Sequence, residues 1–306
     1  MTDARIPQKP VLQKSALQQL IEQLDTHGSD SKRLFHGRGH CYSGLEWLTL
    51  DWHPPVLVAT LYQQPDQQQL QALRESLAEL QLPVFVQYRY GQQLQSEWLG
   101  TSANEPFYAS RNGLRFELTL QQRQNLGYFV DMEPGRQWLE KNACGRGLNL
   151  FAYTCALSCV ALANGASEVV NVDMSRSALT TGQRNHQLNG LRGGRFLKMD
   201  VFKSWKKLAA NGPYDWIVLD PPSFQKGSFV AQKDYPRLLR HLLKVLSPGS
   251  KILACLNDPN LDEAFLKNAF AEQLPQAVFV ERLAEHPDFP EADRDKGLKL
   301  LVYRID

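Results

Sequence analysis

Hydrophobic residues near the start of the chain repeat with the period of a helix. Five of them fall on one face of the segment VLQKSALQQLIEQLD: Leu12, Leu17, Leu20, Ile21 and Leu24. This spacing predicts an amphipathic helix. Short β-branched or alternating runs then follow, LEWLTLDW, PVLVATLY and PVFVQYRY, with a glutamine-rich helical segment before the last. Such runs are typical of strands, so we expect a small α+β unit.

Beyond residue 113 the pattern becomes a regular alternation of strands and helices. The stretch GTSANEPFYASRNG, residues 100–113, collects turn-forming residues and predicts a loop at a domain edge, which divides the chain into residues 1–105 and 106–306. Five strand-like runs, LNLF, EVVNVD, GRFLKMD, YDWIVLD and KILACL, are each followed by a helical segment. This order predicts βαβ units and a mostly parallel sheet with helices on both faces.

The last two apolar runs, AVFVERL and GLKLLVYRI, have no helix between them. They should therefore pair as an antiparallel hairpin at the edge of the same sheet. The predicted fold class is α/β, a doubly wound and mostly parallel seven-stranded sheet with a C-terminal antiparallel hairpin, preceded by the small α+β domain.

The composition excludes several classes of protein but does not indicate a function. Lys and Arg number 34 against 32 Asp and Glu, a formal charge of +2, so any site for a polyanion must be a local patch. The longest apolar runs are too short to span a membrane, and the start MTDARIPQKP lacks the layout of a signal peptide. We therefore expect a cytoplasmic protein, and the oligomeric state stays open.

The cysteines and histidines predict neither a disulfide framework nor a metal site. The five cysteines are odd in number and contain no CxxC motif. Cys155 and Cys159 lie one helical turn apart, and His36 and His40 flank glycines that predict a turn. Neither pair has a second pair of ligands nearby, so we expect reduced and mostly buried thiols.

Acidic residues end three successive predicted strands. In doubly wound sheets a ligand lies beyond the carboxyl ends of the strands, where this sequence places Phe151, Asp173, Asp200 and Asp220. Each acid could instead cap the following helix.

Asp173 lies 22 residues after Phe151, the spacing of an acid that binds the ribose of an adenosine cofactor. The first turn, FAYTCA, lacks the glycines that a dinucleotide requires, which favours S-adenosylmethionine over NAD.

The stretch WIVLDPPSF, residues 216–224, ends an apolar strand with an acid, two prolines and an aromatic residue. Asp220 and the carbonyl of Pro221 could accept hydrogen bonds from a base, while Pro221 and Pro222 keep the loop rigid and Phe224 offers a stacking surface. Methyl transfer needs such positioning of a nucleophile. The alternative is a plain turn after a buried strand.

With these motifs, the chain resembles a bacterial family of class I methyltransferases that act on 23S ribosomal RNA at cytosine C5 or guanine N7. The motifs are LNLFAYT, VDMSRSAL with NHQLNGL, DVF after Met199, and DPPSF, and the segment NLGYFVDMEPGR is similar to one that closes over the cofactor. RLFHGRGHCYSGLEWLTLDW resembles the family's small domain, for which we expect an RNA-binding role. Together with the strand ends, the resemblance implies cofactor contacts at Phe129, Asp131, Arg136, Phe151, Ala152, Tyr153, Thr154, Asp173, Met174, Ser175, Asp200, Val201 and Asp220.

Three positions depart from the family pattern. Cys155 stands where the family has glycine, which predicts a side chain crowding the methionine end of the cofactor, and Glu133 stands where the family has arginine. Members that form 5-methylcytosine have a thiol near the position of Asn257, whereas Cys255 here falls on a strand and should be buried. Methylation of a base nitrogen is therefore favoured over methylation of carbon.

The leading hypothesis is an S-adenosylmethionine-dependent methyltransferase for a base nitrogen in ribosomal RNA. Two alternatives remain: a methyltransferase for a small molecule or a protein side chain, and a non-catalytic RNA-binding or assembly protein on the same fold. Two groups of basic residues are candidate phosphate contacts, although such groups are commonly just solvated. They are Lys198, Lys203, Lys206 and Lys207, and Lys226, Arg237, Arg240 and Lys244.

Overall fold

The computed structural model describes residues 16–91, 93–121, 124–225 and 229–306, and it folds the N-terminal part around a five-stranded sheet in the order β1-β2-β3-β4-β5. Its elements are α1 (Ala16–Glu22), β1 (Lys32–His36), β2 (Leu48–His53), β3 (Val56–Leu61), α2 (Gln67–Glu79), β4 (Val84–Tyr88) and β5 (Gln95–Leu99). Strands β3 and β4 run parallel, as expected for strands joined through a helix. Of the predicted first helix, Leu12 lies outside the described residues.

A hairpin lies where the sequence predicted a loop. Strands β6 (Phe107–Arg111) and β7 (Leu114–Leu118) pair antiparallel, so the loop prediction for residues 100–113 was wrong over β6. The inward positions of β6 are Phe107, Ala109 and Arg111, and the last is buried because it pairs with acids of a later helix. The turn-rich composition of the segment concealed this alternation. The division of the chain at residue 105 stays a prediction.

The second part of the chain forms the predicted seven-stranded sheet, in the order β10-β9-β8-β11-β14-β16-β15. Its elements are α3 (Glu133–Asn142), β8 (Gly145–Leu150), α4 (Ala156–Ala163), β9 (Ala166–Asp173), α5 (Arg176–Leu188), β10 (Gly194–Lys198), α6 (Trp205–Ala210), β11 (Tyr214–Leu219), β12 (Phe224–Gln225), β13 (Phe229–Val230), α7 (Ala231–Leu239), β14 (Leu246–Leu256), α8 (Glu263–Gln273), β15 (Ala277–Arg282) and β16 (Lys299–Ile305). The first five strands of the sheet are parallel, and β16 is antiparallel to both of its neighbours.

The strand order reverses between β8 and β11, where the chain turns from one half of the sheet to the other. A crevice opens at the carboxyl ends of strands at such a switch point. The predicted fold class, including the C-terminal antiparallel hairpin, is confirmed. None of the helices within the described ranges is long and apolar enough to cross a lipid bilayer.

The two parts of the chain meet at a tight turn that follows β1. A Cβ on Gly37 would lie 1.9 Å from the carbonyl oxygen of Leu45, and one on Gly39 would lie 1.8 Å from that of Pro290, in the loop between β15 and β16. Only glycine fits both positions, which agrees with the predicted turn. His36 contacts Glu291 across the junction, with Nε2 and Oε1 3.2 Å apart, so it has a structural partner.

The turn after β8 places three non-glycine residues in the left-handed region: Phe151, Tyr153 and Cys155 have φ of 59°, 48° and 59°. The Cys155 side chain is fully buried, and a Cβ on Gly182 of α5 would lie 2.5 Å from its Sγ. The thiol therefore packs inward against α5, and the predicted crowding of the cofactor's methionine end was wrong. The absence of a side chain at residue 182 makes room for the one at residue 155.

We predict that Gly182→Ala lowers the free energy of unfolding by about 1–3 kcal/mol, because the new methyl group would overlap the Cys155 thiol. In a Cys155→Gly background the same change should be neutral or stabilising, since glycine accepts the left-handed turn and alanine improves the helix by about 1 kcal/mol. Denaturant unfolding of the four proteins in this double-mutant cycle measures the coupling. Equal effects of Gly182→Ala in both backgrounds would contradict the proposed packing.

Candidate active site

Asp173 ends β9, and backbone amides on two sides hold its carboxylate. Its Oδ2 accepts a hydrogen bond from the Tyr153 amide at 2.9 Å, and its Oδ1 accepts one from the Ser175 amide at 2.7 Å. Each carboxylate oxygen has two acceptor positions, so one remains on each for a ligand. This arrangement suits the two hydroxyl groups of a ribose.

The neighbouring strand ends supply apolar and polar contacts beside Asp173. Met174 is 52% exposed, which is unusual for methionine and leaves a flat apolar surface at the strand ends. Asp200 accepts a hydrogen bond from the Phe202 amide at 2.9 Å, while Val201 is buried. The Ser175 hydroxyl caps α5, accepting from the Ala178 amide, so its side chain has a structural role. Met174 and Asp200 are thus the accessible side chains at these strand ends.

The turn after β8 is tied to the segment that precedes α3. The buried Thr154 donates through Oγ1 to the carbonyl of Gly127 at 2.6 Å, and the Tyr153 hydroxyl donates to that of Asn125 at 3.1 Å. The Tyr153 ring lies 5.5 Å from the ring of Phe129, which is 44% exposed. Two segments of the predicted site, distant in sequence, are therefore joined.

The other two residues of this turn, Phe151 and Ala152, contact the protein interior. Phe151 is half-buried and packs edge-on against Phe229, with ring centroids 5.6 Å apart. Ala152 is buried, and its amide donates to the Val172 carbonyl at 3.0 Å. Both residues shape the backbone of the crevice floor rather than offering polar side chains to a ligand.

Arg136 is almost completely buried, at 1% exposure. Its guanidinium carbon lies 3.9 Å from the centre of the Tyr128 ring, and it donates to the Phe129 carbonyl and, at 3.5 Å, to Glu133. Within the described residues its Nε has no hydrogen-bond partner. An unpaired buried donor costs about 1–3 kcal/mol, so the site is suited to a ligand that carries a carboxylate.

Two carboxyl groups lie beside Arg136. Burial and the negative charge of Asp131 raise the pKa of Asp220 to about 7, against the opposing effect of Arg136. Burial also raises the pKa of Asp131, although Arg33 and Arg136 favour its charged form. The sequence predicted these three site residues separately, and the fold brings them into one electrostatic cluster.

The loop that begins at Asp220 is anchored on both sides. Pro221 is buried, Pro222 is half-buried, and the Ser223 hydroxyl donates to the carbonyl of Asn257, after β14. Phe224 pairs with Val230 through the backbone in the β12–β13 hairpin. Its side chain lies outside the described part of the structure, so its stacking role stays a prediction.

Two polar contacts of the site were missed by sequence reasoning. Lys299 is fully buried, and its Nζ donates to the carbonyls of Asp258, Asp295 and Gly297 at 3.0, 2.6 and 3.0 Å, which fixes the loop after β14. Glu133, the departure from the family pattern, accepts from Arg111 at 2.7 to 3.0 Å. The only sequence signal for the Lys299 contacts was a lysine inside the apolar run GLKLLVYRI. The contact between Glu133 and Arg111 was missed because the two residues belong to different segments of the chain.

The thiols near the crevice are poor nucleophiles. Cys255 lies on β14, is fully buried as predicted, and burial raises the pKa of its thiol well above the ordinary value. Burial does the same for Cys155. Cys41 and Cys144 are exposed, so the expectation of mostly buried thiols holds for three of the five. No group of three or more potential metal ligands occurs among the described residues.

Comparison with known proteins agrees with this geometry. Residues 32–304 match the family model of the S-adenosylmethionine-dependent methyltransferases. Ribosomal RNA large subunit methyltransferase I of Photobacterium profundum is 30% identical over 267 residues, covering 81% of this chain and 67% of that protein. Ribosomal RNA large subunit methyltransferase K/L of Hahella chejuensis is 35% identical over 179 residues, covering 54% of this chain and 25% of that protein. The chain thus spans only part of these relatives.

Solved structures agree on the fold. A protein of Streptococcus mutans described as an S-adenosylmethionine-dependent methyltransferase is 25% identical, with a TM-score of 0.84, and the match covers 98% of this chain and 83% of that one. A second structure, SMU.776, described as a methyltransferase complexed with S-adenosylhomocysteine, is 23% identical with the same TM-score and covers 97% and 83%. The strand order, the acidic strand ends and the family match together lead to one conclusion: the chain belongs to the S-adenosylmethionine-dependent methyltransferases.

Proposed function

We propose that the protein methylates a nitrogen atom of a base in large-subunit ribosomal RNA. The observation that carries this proposal is Asp220, a carboxyl group with a pKa of about 7 at the start of a rigid proline loop, beside the switch-point crevice. Such a group changes between acceptor and donor near neutral pH, as an acid–base residue must. On this proposal residues 106–306 are the methyltransferase domain and residues 1–105 help to bind the substrate.

The roles of the residues follow from their positions. Bound S-adenosylmethionine supplies an electrophilic methyl group. Asp173 accepts the ribose hydroxyls, Met174, Asp200 and Val201 surround the adenine, and Arg136 binds the carboxylate of the methionine part. Asp220 and the Pro221 carbonyl hold N–H groups of the base so that the nucleophilic nitrogen points at the methyl group, and Asp220 takes up a proton that a substituted nitrogen releases.

Nitrogen is favoured over carbon as the acceptor because the crevice lacks a reactive thiol among its described residues. Carbon methylation of cytosine requires a thiolate that adds to the ring. Cys255 is the cysteine closest in sequence to the position where the family carries that nucleophile, and it is buried with a raised pKa. A nitrogen nucleophile needs no covalent addition to the ring: it needs positioning and, where it carries hydrogen, an acceptor for the proton.

An RNA substrate is supported by the relatives, which are named for ribosomal RNA, and by exposed basic residues at one edge of the sheet. Lys198, Lys206 and Lys207 are exposed near β10. Lys203 lies 3.6 Å from Asp200, and Arg237 is held by Asp234 at 2.5 Å, so these two are less available for phosphates. Lys226 lies outside the described residues. A protein with this substrate works in the cytoplasm.

Mass spectrometry of nucleosides from ribosomal RNA tests the substrate directly. A strain that lacks the gene should lack one methylated nucleoside of large-subunit RNA, and the wild-type gene should restore it. The Asp220→Asn variant should fail to restore it, because an amide cannot accept the proton. An unchanged set of modified nucleosides would refute the RNA substrate and favour a small molecule or a protein side chain as the acceptor.

Asp173→Ala should weaken binding of S-adenosylhomocysteine by at least about tenfold, because the variant cannot form the charge-assisted hydrogen bonds to the ribose. Isothermal titration calorimetry measures this affinity. A matched control is Asp262→Ala, which likewise removes an acid that accepts from a backbone amide, that of Phe265 at 2.9 Å, at the start of α8. Equal cofactor affinity in the two variants would remove Asp173 from the site.

The rate at low cofactor concentration should rise with pH up to about 7 and then level off. Because the pKa of Asp220 is raised, its carboxylate acceptor is scarce below neutral pH, and the rate should fall about tenfold for each pH unit below the inflection. Asp131→Asn removes a negative charge that raises this pKa, so the inflection should move to lower pH. A profile without an inflection between about pH 5.5 and 8.5 would exclude this role for Asp220.

A further inference from the structure

Two arginines of the N-terminal part lie over one tyrosine ring. The guanidinium carbon of Arg38 is 4.2 Å from the centre of the Tyr62 ring, and that of Arg89 is 5.1 Å from the same centre. The two guanidinium groups are therefore no further apart than the sum of these distances. Both positive charges lie over the same ring, and an anion bound beside them would reduce their mutual repulsion.

Neither arginine is neutralised by an acid in the described part of the chain. Arg38 is exposed, and the contact that the structure gives its side chain is the one with Tyr62. The Nε of Arg89 is buried without a hydrogen-bond partner. The contrast with Arg33 is direct, since that residue is held by Asp51 through two hydrogen bonds of 2.7 and 3.0 Å. The cluster thus offers free donors rather than completed ion pairs.

Contacts with other segments fix the backbone at Arg38 and at Arg89. Arg38 sits between Gly37 and Gly39, and both glycines are pressed against backbone carbonyls, one within the N-terminal part and one in the loop between β15 and β16. The amide of Ala292 also donates to the Gly39 carbonyl at 2.8 Å. On the other side of the cluster, the Arg89 amide donates to the Leu61 carbonyl at 2.7 Å. A preorganised site loses little entropy when it binds a ligand.

The cluster lies near the crevice. Tyr62 and Asp131 are both close enough to Arg33 to contribute to its raised pKa, while Asp131 in turn acts on Asp220. Arg33 is therefore within electrostatic range both of the ring of this cluster and of a carboxyl group of the site. An RNA strand bound at both places would extend from the crevice past Arg33 to this cluster.

We propose that Arg38, Tyr62 and Arg89 form a binding site for a backbone phosphate of the RNA strand that flanks the target nucleotide. This inference rests on the proposed RNA substrate. The guanidinium groups donate to the phosphate oxygens in a planar, two-donor geometry, and Tyr62 keeps them oriented. The site gives no sequence information and fixes the position of the strand, so that the base reaches Asp220.

The test compares Arg38→Gln and Arg89→Gln with the control Arg115→Gln. Arg115 is also an exposed arginine over a tyrosine, 5.2 Å from the centre of the Tyr108 ring, but its amide contacts Asn189 just beyond the end of α5, away from the strand ends that form the site. Methyl transfer to large-subunit RNA from the deletion strain is measured against RNA concentration at several salt concentrations, together with melting temperature and affinity for S-adenosylhomocysteine.

We expect Arg38→Gln and Arg89→Gln to raise KM for RNA by about tenfold, with little change in kcat, cofactor affinity or, for the exposed Arg38, melting temperature. The slope of log KM against log salt should fall by about one for each phosphate that the variant no longer binds. Arg38→Lys should recover part of the affinity, because it keeps the charge but not the planar donors. Arg115→Gln should match the wild type.

If the wild type methylates RNA and Arg38→Gln has the wild-type KM and salt slope, the phosphate site is refuted while the proposed function stands. If the wild type modifies no RNA, the proposed function fails, and fluorescence anisotropy with the same RNA tests the cluster by itself. Lower affinity of Arg38→Gln than of Arg115→Gln then supports the site, and equal affinity overturns it.

Discussion

The parallel pairing of β8 with β11 is the constraint on which the crevice depends. Leu150 lies opposite Leu219 at the ends of these strands, so Phe151 and Asp220 leave the sheet side by side although 69 residues separate them. Hydrogen bonds between parallel strands fix this register, and a slip of one residue would turn Asp220 toward the wrong face. The contacts proposed for the cofactor and for the base therefore all depend on the register between β8 and β11.

A network of charged residues then sets the electrostatics of the crevice. Arg111 binds Glu133, and Arg136 contacts Glu133 and favours the charged forms of Asp131 and Asp220. Buried ion pairs add little net stability, because removing the charges from water costs nearly as much as their attraction returns. Their contribution here is positional, since Arg111 holds β6 against α3 through Glu133 and Glu140. Chemistry at Asp220 therefore depends on residues from several segments of the chain.

The N-terminal part belongs to the same arrangement. The glycine turn after β1 is pressed into the loop between β15 and β16, and Arg33, fixed by Asp51, faces Asp131. One end of the five-stranded sheet is thus held close to the crevice, with the arginine–tyrosine cluster beside it. If the proposed function holds, this local concentration of positive charge would let a chain with a net charge near zero bind RNA.

The sequence by itself determined the element order, the seven-stranded sheet and the acids at the strand ends, because hydrophobic periodicity and chain direction are local properties. It also predicted the burial of Cys255, which follows from the position of that residue on an apolar strand. Only the tertiary structure decided that β6 is a strand, that Cys155 packs against Gly182, that Lys299 fixes the loop after β14, and that Asp131 raises the pKa of Asp220. The last three depend on contacts between residues far apart in the chain, and their energies of burial and charge interaction exist only once the fold has brought them together. Strand β6 pairs with its neighbour β7 across a two-residue turn, and the turn-forming composition of that segment hid the pairing.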